Sequence, residues 1–121
     1  MKYMMLIYSN AESWAALSHD ERIALGRGHA ALKKELEDAG KYAGGHGLSD
    51  PRETTTVRVR AGAIATTDGP YIESKEHLAG FYVVECADVD EATAIAARIP
   101  DAAVNFVEVR PVLDPPEIPA Q

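Results

Sequence analysis

His29 is the side chain in this sequence best suited to acid–base chemistry. It belongs to the series Leu25, His29, Leu32 and Leu36. That spacing puts all four on one helix face, so the imidazole is expected to point where the leucines point, toward a sheet or a pocket beside it. An imidazole titrates near neutral pH, and a carboxylate accepting one ring N–H fixes its tautomer and raises its basicity. Asp68, at the expected end of a strand, is the candidate carboxylate, so His29 would act as acid or base and Asp68 would orient it. The same residues also fit a plainer reading, in which a buried imidazole is satisfied by a backbone carbonyl and the aspartate caps its own turn.

Four further residues fall around these two. Gly45 and His46 sit in the stretch Gly44-Gly45-His46-Gly47, where a small molecule can approach the backbone. Glu73 and Lys75 follow Asp68-Gly69-Pro70, in a loop whose alternating charges could line a pocket mouth and hold the polar end of a substrate, or form a solvated ion pair. No ligand spacing supports a metal: Glu73 and His77 are four apart, which helps only on a helix. Serine and cysteine nucleophile motifs and phosphate-binding glycine loops are absent, so no cofactor is expected.

Tyr3 to Tyr8 is apolar on both alternating faces, as suits a central strand. Ser18-His19-Asp20-Glu21 has the form of a capping box and opens a helix that should run to Gly40. Gly26 and Gly28 lie within it; each costs about 1 kcal/mol relative to alanine, and the pair marks either a close approach or a weak first turn. A bent, glycine-rich strand follows from Lys41. Thr54 to Arg60 and Ala63 to Thr67 form a hairpin about Ala61-Gly62, and Gly80 to Cys86 returns as a second central strand. Asp88-x-x-Glu91 caps a second helix that Pro100 ends, and Val104 to Arg110 is the last strand.

This order predicts an α+β fold, a split β-α-β arrangement with an inserted hairpin and two main helices on one face of an antiparallel sheet. The opposite face carries apolar residues from both central strands, which predicts a homodimer formed sheet to sheet. One domain over residues 1–112 is expected, followed by an extended proline-rich tail over 113–121. A net charge of −7 with no basic cluster argues against nucleic acid and anionic membranes. The single cysteine, Cys86, is expected to be a buried, inert thiol, and a cytoplasmic location is expected.

The chain resembles the YCII-related family, in particular its DGPF-type branch. The resemblance rests on Met1 to Tyr8, on Leu36 to Gly40 with Gly44 to Leu48, on Thr66-Thr67-Asp68-Gly69-Pro70-Tyr71 with Glu73-Ser74-Lys75-Glu76, and on Leu78 to Tyr82 leading to Asp88-x-Asp90-Glu91-Ala92. Tyr71 stands where the branch's name implies phenylalanine. The resemblance implies a ferredoxin-like fold of the dimeric α+β barrel type. It also implies a set of small-molecule enzymes that use a histidine and an aspartate, with His29 matching that histidine and Asp68 assigned from the motif. The expected function is a small-molecule enzyme of unassigned reaction. The alternative is a non-catalytic ligand-binding or regulatory dimer linked to a sigma-factor pathway.

Overall fold

The computed structural model describes residues 1–70 and 74–113. Four strands form the main sheet: β1 (Lys2–Ser9), β2 (Tyr42–Gly47), β5 (His77–Glu85) and β6 (Phe106–Pro111). β1 pairs antiparallel with both β5 and β6, and β2 pairs antiparallel with β5, giving the order β2-β5-β1-β6. Helix α2 (His19–Asp38) carries the chain from β1 to β2, and α3 (Val89–Ala96) carries it from β5 toward β6. This is the ferredoxin-like arrangement expected, with the two longer helices on one side.

Period-two alternation decides which side. Along β1, Tyr3, Met5 and Ile7 are buried while Met4, Leu6 and Tyr8 are half-buried, and along β5 Tyr82 and Val84 join the buried set. Leu32 and Leu36 of α2 cover that face, together with Ala92, Ile95 and Ala96 of α3 and Ile99 beyond it. Burying each large apolar side chain contributes about 1.5–3 kcal/mol. Cys86 belongs to this core as a free thiol, and burial pushes its pKa up.

The inserted hairpin, β3 (Thr55–Arg60) and β4 (Ala63–Asp68), pairs only with itself. Ala61 and Gly62 turn it with φ of 51° and 77°, the left-handed pair that a two-residue hairpin turn requires. Val57, Val59 and Ile64 stay exposed.

Two short α-helices were not anticipated, nor was a 3-10 turn at Pro51–Glu53. The Ala/Trp segment after β1 is α1 (Ala11–Ala16), started by Asn10, whose side-chain oxygen accepts the Ser13 N–H at 2.7 Å. The stretch after Pro100, expected to lead directly into a strand at Val104, instead makes the single turn α4 (Asp101–Val104), and β6 begins at Phe106. Proline at the entrance of a helix costs nothing, because its missing N–H has no partner there anyway. Of the expected tail, residues 114–121 lie outside the described residues, as do Tyr71 and Glu73. No helix among the described residues is long and apolar enough to cross a membrane.

Candidate functional site

Helix α2 begins with the expected capping box. The Ser18 hydroxyl accepts the Glu21 N–H, and the Glu21 carboxylate accepts the Ser18 N–H at 2.9 Å. With its start fixed, the helix directs Leu32 and Leu36 into the core, and His29, on the same stripe, reaches the edge of the sheet half-buried. Gly28 lets it come close. A Cβ at this position would stand 2.7 Å from Cγ of Pro100, so the missing side chain is what allows α2 to pack against the Pro100-Asp101 turn. Gly26 meets nothing within 4 Å, so of the two helix glycines only Gly28 marks a close approach.

That packing sets the partners of His29. Its Nε2 meets the Asp101 carboxylate at the first position of α4, and its Nδ1 lies 2.5 Å from the Tyr82 hydroxyl of β5. The imidazole stands edge-on to the Tyr82 ring, and Tyr42 of β2 also packs edge-on to Tyr82, at 6.2 Å between centroids. The Tyr42 hydroxyl donates to the Gly45 carbonyl at 3.4 Å. Burial, followed by the neighbouring Tyr42 and Asp101, pushes the Tyr82 phenol up to about 12, so it stays protonated through the physiological range.

Tyr82, His29 and Asp101 form one wall of a cleft of about 1500 Å³ between the helical layer, the sheet edge and the loops after β2 and before β5. Ile7, Trp14 and Leu25 give it apolar surface. Lys33, one helical turn beyond His29, also lines it and lies 5.4 Å from the centre of the Tyr42 ring, a cation–π contact.

The residues expected from sequence divide between this cleft and other places. Gly45 is in its floor. A Cβ there would lie 2.9 Å from Tyr82 Cδ1, so the glycine makes room for the tyrosine ring. Lys75 stands at the mouth, largely exposed, with its ammonium 3.0 Å from the Glu12 carboxylate. His46 reaches the cleft only at its rim. In the antiparallel register it lies opposite Phe81, and its ring packs on Phe81 at 6.0 Å on the far side of the sheet from His29. Glu73 is outside the described residues.

Asp68 is not the carboxylate in contact with His29; Asp101 is. Asp68 ends β4 in the hairpin and lines a shallower hollow that adjoins the cleft, the two sharing Pro51, Arg52, Ser74 and Lys75. The Asp-Gly-Pro turn ties the hairpin's own ends together: the Gly69 N–H donates to the Thr54 carbonyl, and the Thr56 hydroxyl donates to the Gly69 carbonyl, each at 2.7 Å. Gly69 has φ +86°, which explains glycine at that position without reference to a ligand. No group of three or more His, Cys, Asp or Glu placed to hold a metal occurs among the described residues.

Residues 1–115 match the model of the YCII-related domain. The chain belongs to the YCII-related family. An uncharacterized protein of Rhizobium meliloti (strain 1021) is 33% identical to it over 124 residues, covering 99% of this chain and all of that protein. Among solved structures, this YCII-related chain is similar to the 5-chloro-2-hydroxyhydroquinone dehydrochlorinase TftG from Burkholderia phenoliruptrix AC1100 in complex with 2,5-dihydroxybenzoquinone. The TM-score is 0.54 and the identity 16%, over 93% of this chain and 94% of that one. At that identity the likeness establishes a shared fold for the YCII-related chain and no more.

Two residues of the cleft wall escaped sequence reasoning for definable reasons. Tyr82 is two residues from Val84 on one strand face and reads as core until its hydroxyl is placed. Asp101 stands after a proline taken as a terminator, and nothing in its neighbourhood signals a partner 72 residues earlier. Lys33 was missed as well, although it had a local signal: an i, i+4 step from His29 puts it on the same face.

Proposed function

We propose that this protein is a small-molecule enzyme that moves a proton to and from a planar, weakly acidic substrate, with His29 as acid or base and Asp101 as its orienting carboxylate. The observation that carries the reading is the placement of a half-buried imidazole, held on both ring nitrogens, in the wall of a roomy cleft. Such a group is the usual agent of acid–base catalysis near neutral pH. The aromatic and apolar walls suit a flat ring, and the Lys33 ammonium suits an anionic oxygen. Gly45 and Lys75 would contact the substrate, at the floor and the mouth. That TftG shares the fold and was solved with a dihydroxyquinone makes 2,5-dihydroxybenzoquinone the first probe to use.

The test is deuterium exchange into the ring C–H positions of 2,5-dihydroxybenzoquinone and a small set of other enolisable acids in D2O, followed by proton NMR. The protein is expected to accelerate exchange on at least one of them, and His29→Gln is expected to remove at least about 99% of the acceleration. Acceleration that survives in the His29→Gln variant with the fold intact would sink the assignment.

The enzyme is further proposed to be a homodimer through the open sheet face. Met4, Leu6, Tyr8, Phe81 and Val83 form an apolar field there, extended by Phe106, which stacks on Tyr8 at 4.9 Å. A contiguous patch of this kind on a small chain usually marks an association surface. Sedimentation equilibrium is expected to return twice the 13.0 kDa chain mass, and Phe106→Asp is expected to shift the population toward monomer. A monomeric unmodified protein at tens of micromolar would remove this part of the proposal.

A further inference from the structure

The geometry points to Tyr82 as the catalytic residue that exchanges the proton with the substrate, while His29 stores that proton behind it. This rests on the acid–base reading above and adds to it a residue and an order of transfer. An ionised carboxylate can only accept, so the Asp101 contact requires the proton of a neutral imidazole to sit on Nε2. Nδ1 is then a bare acceptor. The group 2.5 Å from it is the Tyr82 hydroxyl, which must therefore donate its hydrogen to Nδ1.

With both ring nitrogens engaged, the imidazole has no lone pair left for a substrate. The Tyr82 oxygen does. Its hydrogen is committed to His29, its lone pairs remain, and Tyr82 lines the cleft. Tyr42 does not compete for them, because its own hydroxyl donates to the Gly45 carbonyl. The arrangement has the logic of a Ser-His-Asp triad with a phenol in the place of the serine, except that the phenol handles a proton and forms no covalent bond.

The transfer balances as follows. A substrate C–H or O–H gives its proton to the Tyr82 oxygen, and the bonding pair stays on the substrate as an enolate or oxyanion. In the same step the original Tyr82 proton moves to Nδ1, forming an imidazolium whose charge Asp101 compensates. No free tyrosinate is formed, which matters because the buried phenol gives up its proton only near pH 12. Running the relay backward onto a different substrate atom completes an isomerisation. In 2,5-dihydroxybenzoquinone, whose ring C–H is vinylic, an O–H proton leaves first and a solvent deuteron returns onto the ring carbon. The sp3 C–H of that keto tautomer gives up its hydrogen in a second pass, which is exchange.

Two measurements decide the matter. The first needs no substrate: a two-bond proton–nitrogen correlation spectrum of the 15N-labelled full chain, with His29 assigned by its loss in His29→Gln. An Nε2–H tautomer with an unprotonated Nδ1 is expected. An Nδ1–H tautomer overturns the relay, because Tyr82 would then accept from His29 and turn its hydrogen to the cleft. The second is the exchange assay on the probe that the unmodified protein accelerates, with 2,5-dihydroxybenzoquinone first. Tyr82→Phe is expected to lose about 100-fold or more, as His29→Gln does. Full exchange in Tyr82→Phe with loss in His29→Gln overturns the relay and leaves the acid–base reading standing, whereas no exchange by the unmodified protein removes both. Should Tyr82→Phe not fold, the tautomer in the unmodified protein decides.

Discussion

Asp101→Asn is expected to lower the exchange rate by between about 10²- and 10⁴-fold while leaving the fold in place. The substitution changes no volume, but it replaces an oxygen that can only accept with an amide that can also donate. If the amide N–H turns toward His29, Nε2 must become the acceptor and the imidazole proton moves to Nδ1. The Tyr82 hydroxyl then loses its acceptor and rotates its hydrogen into the cleft. If the amide oxygen faces His29 instead, the tautomer is kept, but the imidazolium formed during the reaction loses its compensating charge. Either way the step slows. The nitrogen correlation spectrum distinguishes the two causes, and circular dichroism confirms that the fold persists. A rate within about threefold of the unmodified protein would reduce Asp101 to a structural partner of His29.

Gly45→Ala carries the largest expected cost to stability, and its reason lies in the packing that shapes the cleft. The added Cβ would stand 2.6 Å from the Phe81 carbonyl oxygen, 2.9 Å from Tyr82 Cδ1 and 3.1 Å from the Tyr42 hydroxyl. The first of these is backbone, and it can yield only by loosening β2 from β5. The second belongs to a ring tethered through its hydroxyl to His29. Overpacking at a site with so little freedom costs about 1–3 kcal/mol, measurable as a lower urea midpoint with unchanged slope. Displacement of Tyr82 should slow exchange in the same variant. Gly47, two residues along the same strand, meets nothing within 4 Å, so Gly47→Ala should change stability by no more than about 0.5 kcal/mol. Equal effects at the two positions would show that strand propensity, rather than contact with Tyr82 and Phe81, governs this edge.

The amino-acid sequence by itself determined the fold class, the hairpin and the orientation of His29. These follow from local rules. Alternation in β1 and β5 separates a core face from an open one, the Ser18–Glu21 capping box starts α2, and Ala61-Gly62 fits a single turn type. The leucine spacing then carries His29 to the inner side of its helix. Each depends on residues within a few positions of one another, where backbone geometry leaves few choices.

The partner of the imidazole was of another kind. In one dimension only Asp68 carried a signal, and it was the approach of α2 to the Pro100-Asp101 turn, permitted by Gly28, that put Asp101 against Nε2. The side of the sheet on which Gly45 and His46 fall was likewise decided by the β2–β5 register, with its irregularity between Tyr42 and Gly44. A shift of one residue in that pairing would exchange the two faces. Long-range packing settled the membership of the site, because contacts between residues 53 and 72 positions apart have no local signature. It was the tertiary structure that turned a lone histidine on a leucine stripe into a tyrosine–histidine–aspartate chain facing a cleft.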